Sequence, residues 1–287
     1  MSAATPQSIV VTGANKGIGY EAVKHLAQKL PNTIIYLTAR SQSNGQDALD
    51  KMKKEASAHD FSNVRIVLLE ILDPSSIQKA VATVQKESGT LDVLLHNSGI
   101  AQFPGATGSA RVFDVNVRGV KACIEAFGEI LTKDTGKIIV VSSEVGAWAT
   151  DAMEPTLRAK VLDSSKTDWP QVEKWMDDWL RHEQGAQDVQ EPWKPVDHLV
   201  NSGYAISKAF LNAYLRNYSL QSQNPPLAIV CPGYCATELN GFAGVRPASQ
   251  GGESVVWPIF NDFKTGHFYQ DGQELRFSYP IPASLSL

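Results

Sequence analysis

The chain has 287 residues, of which 43% are hydrophobic and 20% are charged. This composition has neither the charge excess of a disordered chain nor the cysteine density of a secreted disulfide scaffold. The formal net charge of -4 predicts no nucleic-acid or membrane surface, so an anionic ligand needs locally placed cations.

The N-terminus and the cysteines bear on the cellular compartment. Residues 1–11 lack the basic flank and apolar stretch of a secretory signal, and no apolar run approaches the length of a membrane span. Cys123, Cys231 and Cys235 have no metal-like or disulfide-framework spacing. We expect a soluble cytoplasmic protein without a metal site, whose cysteines are small buried residues. An accessible thiol at Cys235 is the alternative.

Short β-branched runs alternate with longer helical patterns. Because they are continuously apolar, they are typical of strands buried on both faces of a parallel sheet. The predicted strands are Ile9–Val11, Thr33–Leu37, Val64–Ile71, Leu91–Leu95, Lys137–Val141 and Leu227–Val230. No linker separates the repeated units. The sequence therefore predicts one α/β domain over residues 1–287, a Rossmann-type doubly wound parallel sheet of about seven strands.

Residues 150–202 interrupt this alternation and predict a helical insertion. Asp168 followed by Gln171 resembles a capping box, and Gly185 supplies a stop. Between these signals, one apolar stripe is formed by Val172, Trp175, Met176, Trp179 and Leu180.

Three glycines, Gly13, Gly17 and Gly19, lie between the first strand and the helix that follows it. Glycine allows a tight turn and a close approach to a pyrophosphate, which then faces the helix N-terminus. The context predicts a dinucleotide site, and a purely structural turn is the alternative.

The spacing of these glycines, in TGANKGIG, resembles the TGxxxGxG motif of the short-chain dehydrogenase/reductase family. The resemblance implies that the turn, including Asn15 and Ile18, binds a nicotinamide dinucleotide. Arg40 ends the second strand where NAD-preferring members carry an acid, and Lys16 stands where NADP-preferring members carry a second cation. Both suit a 2'-phosphate, so NADPH/NADP+ is the expected cofactor. Solvated surface charges are the alternative.

Two further segments match the family's adenosine site. Asp73, at the expected end of the third strand, matches the aspartate that hydrogen-bonds adenine. Asn97 and Gly99 match the Asn-Ala-Gly turn beside the adenine ribose, with Ser98 in place of alanine. His96 just before them is expected to be a packed strand residue.

Tyr204 and Lys208 form a Y-x-x-x-K pair, and this spacing places both side chains on one helix face. A phenol has a pKa of about 10, and a neighbouring ammonium lowers that pKa by favouring phenolate. The resemblance implies that Tyr204 is the catalytic acid and Lys208 its electrostatic partner, which also holds the cofactor ribose. A surface helix with this spacing by chance is the alternative.

Two more polar residues match the family's catalytic set. The segment SSEVG resembles the family's S-S-x-x-G, which implies that Ser143 holds the substrate oxygen in line with Tyr204. A strand-end turn is the alternative for Ser143 and is expected at Ser142. Asn116 matches the helix asparagine that binds a water feeding a proton relay to the lysine. An asparagine inside a helix is otherwise locally unfavourable.

The resemblance continues towards the C-terminus. The segment PGYCAT resembles the P-G-x-x-x-T loop, which implies that Pro232, Gly233 and Thr237 grip the nicotinamide end of the cofactor. Gly266–Gly272 resembles the last strand of these folds. The motifs therefore extend over nearly the whole chain.

The insertion before Tyr204 resembles that of the carbonyl reductase subgroup and of related plant reductases of terpenoid and alkaloid ketones. The implied reaction transfers the pro-S hydride of NADPH to a ketone or aldehyde, with Tyr204 protonating the oxygen. Alcohol oxidation with NADP+ and a non-catalytic cofactor-bound sensor or scaffold are the alternatives, and the intact catalytic residues argue against the second. The epimerase branch has a shorter glycine turn and a larger C-terminal domain, which are not present here.

Several aromatic residues could lie either in a substrate pocket or in the hydrophobic core. Trp148, Tyr234, Phe242 and the insertion's tryptophans are candidates for an apolar substrate pocket, although tryptophans at helical spacing are more often core residues.

Most family members dimerise through the helices that carry Asn116 and Tyr204. The insertion enters directly before Tyr204, and its apolar stripe needs a partner. We therefore expect a monomer in which the insertion covers that surface and forms one wall of the substrate cleft. The family dimer, with the stripe packed elsewhere, is the alternative.

Overall fold

Strands and helices alternate through the residues that the computed structural model describes, which are 6–101, 108–199 and 201–282. The strands, β1 to β10 in chain order, are Ser8–Val11, Ile34–Ala39, Val64–Leu68, Val93–His96, Lys137–Val141, Leu227–Val230, Cys235–Ala236, Arg246–Pro247, Phe268–Gln270 and Gln273–Leu275. The helices, α1 to α10, are Gly17–Lys29, Gln42–Glu55, Pro74–Ser88, Ser109–Phe113, Gly119–Gly128, Glu144–Ala152, Pro155–Leu162, Trp169–Glu183, Ser202–Ser219 and Ala248–Phe260. A π-helix, Asp114–Arg118, joins α4 to α5, and single 3-10 turns lie at Ser164–Lys166, Lys194–Val196 and Glu238–Asn240.

One sheet of eight strands has the order β10-β9-β6-β5-β4-β1-β2-β3. All neighbouring strands in it are parallel except β9 and β10, which form an antiparallel pair. The predicted doubly wound α/β fold is confirmed, and β10 is an additional strand that the sequence did not indicate. Strand order reverses between β1 and β4, which opens a crevice at their carboxyl ends where such folds bind ligands.

The predicted burial on both faces is confirmed for the central strands and is wrong for β3. Residues of β1, β4 and β6 are buried throughout. β3 lies at the sheet edge, and its last residue, Leu68, is 48% exposed. The strand therefore ends before Ile71, the predicted end. Leu91 forms only an isolated bridge with Leu131, and β4 begins at Val93.

Hydrophobic side chains fill both faces of the sheet. On one face, α1, α2 and α10 supply buried residues such as Val23, Met52 and Val255. On the other, α3, α5, α8 and α9 supply residues such as Val81 and Phe127. Of the helices in the described ranges, none is both long and apolar enough to cross a membrane.

The insertion has the predicted helix. Asp168 caps α8 by accepting a hydrogen bond from the backbone N–H of Gln171 at 3.1 Å. The helix ends before Gly185, whose φ is +82°. All members of the apolar stripe are buried except Leu180, which is partly buried. Within the predicted bounds of the insertion, Val200 lies outside the described residues.

Candidate active site

The glycine turn between β1 and α1 is shaped by its backbone and by close packing. Gly13 and Gly17 have φ values of +61° and +59°, which disfavour any other residue. A methyl group added to Gly19 would lie 2.5 Å from Nδ2 of Asn97, so a side chain does not fit there. Helix α1 begins inside this turn. The turn therefore has the form of an anion cradle at a helix N-terminus.

The two predicted phosphate-binding cations differ in their surroundings. Arg40, just after β2, is exposed and forms no ion pair with any residue in the described ranges. Lys16 is also exposed, and its Nζ lies 2.5 Å from Oε2 of Glu238, in the loop after β6. Asn15 and Ile18 lie half-buried in the same turn. The structure thus leaves Arg40 free to bind an anion and engages Lys16 with an acid.

Asp73 is not at the end of the third strand, as the sequence predicted. β3 ends earlier, at Leu68, and Asp73 caps α3 by accepting a hydrogen bond from Ser75 N at 2.9 Å. Hydrogen bonds from Ser75 lower the pKa of the Asp73 carboxyl. Glu70 lies nearer the strand end, where its backbone N–H donates to the Ser76 hydroxyl at 2.9 Å. The adenine contact of Asp73 stays a prediction.

Asn97 joins the end of β4 to the glycine turn. Its backbone N–H donates to Oγ1 of Thr12 at 2.9 Å. Its side-chain amide donates to the carbonyl oxygens of Thr12 at 3.1 Å and Gly13 at 3.2 Å. Ser98 N–H also donates to Thr12 Oγ1, at 2.9 Å. The predicted turn residue therefore fixes the shape of the glycine turn.

Asn116 is fully buried in the π-helix, a feature that often marks functional sites. Its Oδ1 accepts from Ile100 N at 2.9 Å, and its Nδ2 donates to Ile100 O at 3.0 Å and to Ser207 Oγ at 3.2 Å. A methyl group added to Gly99 would lie 3.3 Å from Asn116 Oδ1, which explains the small residue there. Asn116 thus anchors the loop after β4 to α9. The π-helix and the role of Ser207 were not predicted.

Helices α6 and α9 cross in close contact at Gly146. A methyl group added there would lie 2.6 Å from the carbonyl carbon of Lys208, so only glycine allows this approach. The crossing brings Ser143, at the N-cap of α6, to Tyr204 in the first turn of α9, close enough for the Ser143 hydroxyl to lower the pKa of Tyr204. The final glycine of SSEVG therefore makes the predicted Ser143 and Tyr204 pair possible.

The two serines at the end of β5 have different partners. Ser142 is buried, and its hydroxyl donates to Oδ1 of Asn212 at 2.6 Å. The strand-end turn expected at Ser142 is therefore wrong. Ser143 forms it instead, since its Oγ accepts from Val145 N at 3.3 Å. Ser143 therefore both caps α6 and contacts Tyr204.

Lys208 is buried below Tyr204 on the same face of α9, as the spacing predicted. Its Nζ donates to the carbonyl oxygen of Val141 at 3.1 Å and lies 5.8 Å from the centre of the Tyr204 ring. Burial lowers the pKa of Lys208 to about 8, with a smaller opposing effect of Cys231. The side chain is therefore an ammonium at neutral pH.

The pKa of Tyr204 moves in the direction opposite to the one expected. Burial raises the pKa of Tyr204 to about 12, the Cys231 thiol adds to the increase, and the hydrogen bond with Ser143 opposes it. The expected lowering by Lys208 is wrong because removal from water is the larger effect. Tyr204 therefore holds its proton at neutral pH.

Two buried residues near these groups were not predicted to belong to the site. Cys231 accepts a hydrogen bond from Gly233 N at 3.4 Å, and burial raises its pKa to about 12. His96 is 1% exposed and neither of its ring nitrogens has a hydrogen-bond partner in the described part of the chain. Burial, and then Lys208, lower the pKa of His96 to about 3. Their positions in the sequence could have indicated this, because His96 directly precedes the Asn97 turn and Cys231 directly precedes the Pro232 loop.

All three cysteines are free and buried, as expected. Sγ of Cys235 donates to the carbonyl oxygen of Pro232 at 3.2 Å, and burial raises the pKa of this thiol. The alternative of an accessible thiol at Cys235 is therefore wrong.

The loop after β6 faces the glycine turn. Gly233 has a φ of +77°, and a methyl group there would lie 2.6 Å from Nη1 of Arg246, which forms two 2.9 Å hydrogen bonds with the Asp271 carboxylate. Thr237 is buried and caps a 3-10 turn. A methyl group on Gly17 would lie 3.7 Å from Thr237 Cγ2. The two predicted cofactor loops are thus neighbours.

The insertion covers the helices that carry the predicted catalytic residues. Trp175 stacks on Phe210 of α9, with ring centroids 5.9 Å apart and an interplanar angle of 19°. Trp193 meets the same ring edge-on at 5.7 Å. At the π-helix, Nη2 of Arg118 lies 2.6 Å from Oε2 of Glu173. The expected covering of this surface is confirmed.

The aromatic residues divide between core and surface. The tryptophans Trp175 and Trp179 are almost fully buried in the core, so a place in the substrate pocket is wrong for them. Tyr234 and Phe242, on the loop after β6, are 45% and 66% exposed. Trp148 is half-buried in α6.

Known proteins resemble this chain over almost its whole length. A (+)-neomenthol dehydrogenase of Capsicum annuum is 26% identical and covers 91% of this chain and 94% of its own length. Carbonyl reductase (NADPH) 1 of Rattus norvegicus is 27% identical over 94% of this chain and 98% of its own. The structure of salutaridine reductase from Papaver somniferum shares the fold, with a TM-score of 0.78, 24% identity and coverage of 92% and 99%.

The family itself follows from a direct match. The sequence model described as short chain dehydrogenase matches residues 7–155, which is more than half of the chain. This protein belongs to the short-chain dehydrogenase family, and it is an oxidoreductase of that class.

Proposed function

We propose that this enzyme reduces a ketone or aldehyde to an alcohol with NADPH, and that Tyr204 donates the proton. The observation that carries the proposal is the crossing of α6 and α9, which brings Ser143 to Tyr204 and places Nζ of Lys208 5.8 Å from the centre of the Tyr204 ring. The relatives named carbonyl reductase and neomenthol dehydrogenase support chemistry between a carbonyl group and an alcohol.

The residues present fit a dinucleotide. The backbone of Gly13 and Gly17 forms a cradle, and the absence of a side chain at Gly19 keeps it open. Exposed Arg40 and Lys16 favour the 2'-phosphate of NADP(H) over the free ribose of NAD(H). The naming of relatives as NADPH carbonyl reductases supports the same cofactor. The residues that we assign to it are Gly13, Asn15, Lys16, Gly17, Ile18, Gly19, Arg40, Asp73, Asn97, Gly99, Tyr204, Lys208, Pro232, Gly233 and Thr237.

The chemistry divides between cofactor and protein. When bound, NADPH supplies the hydride for the carbonyl carbon. Ser143 donates a hydrogen bond to the carbonyl oxygen and holds it beside the Tyr204 hydroxyl, which gives that oxygen its proton. The Lys208 ammonium stabilises the phenolate that remains and binds the ribose. Asn116 keeps the loop after β4 against α9.

The protonation state of Tyr204 agrees with reduction. Burial raises the pKa of Tyr204 to about 12, so this side chain is protonated at neutral pH and begins the cycle as a donor. Alcohol oxidation would require it to begin as a phenolate.

We also propose that the protein is a cytoplasmic monomer with one Rossmann-type domain over residues 1–287, in which residues 150–202 are an insertion. The insertion's contacts with α9 and the π-helix support the monomer, because they occupy the surface through which family members dimerise. The free buried cysteines agree with a reducing compartment. We expect a small carbonyl compound as the partner, without nucleic acid or membrane.

A panel of ketones and aldehydes tests the proposed reaction. Purified protein should consume NADPH, followed by its absorbance, in a carbonyl-dependent manner and should prefer NADPH to NADH. Binding of NADPH without turnover of any carbonyl compound would instead identify a cofactor-bound sensor.

A further inference from the structure

A carboxylate and a phenol lie beside the catalytic serine and take no part in the proton donation proposed above. Glu144 is the first residue of α6 and directly follows Ser143. Its Oε2 accepts a hydrogen bond from the hydroxyl of Tyr279 at 2.9 Å. Both side chains are half-buried, so the pair is partly shielded from water.

Tyr279 reaches this position because the chain after β10 returns across the sheet to α6. Phe277 stacks on Phe268 of β9, with ring centroids 5.6 Å apart and an interplanar angle of 20°. The Ser278 hydroxyl donates to Oδ1 of Asp151, in α6, at 3.0 Å. These contacts hold Tyr279 in place before a ligand arrives, which lowers the cost of binding one.

The thiol of Cys231 connects this pair with the reacting groups. The backbone of Glu144 lies close enough to this thiol to lower the pKa of Cys231. The same thiol raises the pKa of both Tyr204 and Tyr279, which shows that both phenols lie near it. Glu144 directly follows Ser143, and its partner Tyr279 shares the neighbour Cys231 with Tyr204, so the Glu144–Tyr279 pair is a near neighbour of the reacting groups.

The charge of Glu144 has no counterion among the residues of the described ranges. Among the residues that the structure describes, no lysine, arginine or histidine forms an ion pair with it, whereas Asp151 in the same helix lies 3.4 Å from Nη1 of Arg158. Tyr279 occupies one carboxylate oxygen. The other is left to accept from a ligand. A partly desolvated carboxylate attracts a cation more strongly than an exposed one, and the charge-assisted hydrogen bond adds to this attraction.

We infer that Glu144, oriented by Tyr279, binds a protonated amine on the substrate and makes the enzyme selective for amino ketones over isosteric neutral ketones. This inference rests on the proposed carbonyl reduction. A purely structural role, in which the acid stabilises the N-terminus of α6, would affect thermal stability and not substrate choice.

The test compares quinuclidinone, a compact bicyclic amino ketone, with bicyclooctanone, which has CH in place of the nitrogen. Values of kcat/KM with NADPH are measured at a pH where the amine is protonated, for the wild type, Glu144→Gln and Tyr279→Phe. Glu154→Gln is the matched control, because Glu154 is an exposed acid just after α6. Thermal unfolding of each variant is recorded in parallel.

We expect the wild type and Glu154→Gln to prefer quinuclidinone by about tenfold or more, the scale of one charge-assisted hydrogen bond. Glu144→Gln should lose this preference, and Tyr279→Phe should lose part of it because the charge remains. Equal use of the two ketones by the wild type, or an unchanged ratio in Glu144→Gln, would overturn the inference while leaving carbonyl reduction established. No turnover of either ketone or of the wider carbonyl panel would overturn both.

Discussion

The Lys208 ammonium donates a hydrogen bond to the carbonyl oxygen of Val141, 3.1 Å away. Val141 is the last residue of β5, so this bond attaches α9 to the sheet two residues before Ser143. The ammonium is buried at this position, and its burial lowers the pKa of Lys208.

The first prediction concerns the pH dependence of reduction. Burial lowers the pKa of Lys208 to about 8, so its ammonium is present below that pH and is lost above it, whereas Tyr204 keeps its proton until about 12. The kcat/KM for reduction should therefore fall as pH rises through about 8. Lys208→Arg keeps its charge to a pH of about 12. Its pH profile should lack this decrease, and a profile with the same decrease would show that another group is responsible.

The second prediction separates proton donation from cofactor binding. Tyr204→Phe should lower kcat at least about a hundredfold, because the transferable proton is lost, while NADPH affinity stays nearly unchanged. Lys208→Ala should impair both. Tyr218→Phe, at the other end of α9, is the control and should retain activity. Steady-state kinetics and fluorescence titration with NADPH measure the two quantities, and an active Tyr204→Phe would exclude the tyrosine as the acid.

The third prediction concerns cofactor choice. Arg40→Asp should shift preference from NADPH towards NADH, because attraction to the 2'-phosphate becomes repulsion. Lys16→Ala should weaken NADPH more than NADH. Glu238→Gln should strengthen NADPH binding by up to about fivefold, since it releases Lys16 from an exposed and therefore weak ion pair. The measurement is the ratio of kcat/KM with NADPH to kcat/KM with NADH. An unchanged ratio in all three variants would mean that other residues bind the 2'-phosphate.

The fourth prediction links His96 to acid stability. Its pKa is lowered from 6.5 to about 3 by burial, so the unfolded chain binds this proton more readily than the folded protein does. The free energy of unfolding should therefore fall as pH decreases from 6.5 towards 3. His96→Leu removes this contribution and should show a shallower decrease in urea unfolding. Equal pH slopes for the two proteins would mean that His96 is hydrated or paired.

The fifth prediction concerns the insertion and assembly. The wild type should be a monomer of 31.2 kDa by light scattering, because the insertion covers α9. Trp175→Ala should destabilise the fold by about 3–5 kcal/mol, as for other buried aromatic residues, and should increase self-association by uncovering Phe210. A stable wild-type dimer would contradict the monomer.

Much of this protein was determined by the sequence alone, because local patterns specify local backbone geometry. The apolar runs predicted the central strands, and Asp168 and Gly185 marked the two ends of α8. The glycine turn, with its positive φ values, and the pairing of Tyr204 with Lys208 on one helix face also follow from short-range spacing.

The tertiary structure decided what depends on contacts between distant segments. β3 lies at the edge of the sheet and ends at Leu68, and its place in the strand order cannot be read from its own residues. For this reason the sequence wrongly placed Asp73 at the end of the third strand. The pKa of Tyr204 was misjudged because desolvation depends on every neighbouring element. Glu144 and Tyr279 are 135 positions apart, and no local pattern indicates that a returning C-terminal segment brings them together. Burial and long-range contact are collective properties of the folded chain, which is why short motifs identified the family and the tertiary structure was needed for the groups around the candidate site.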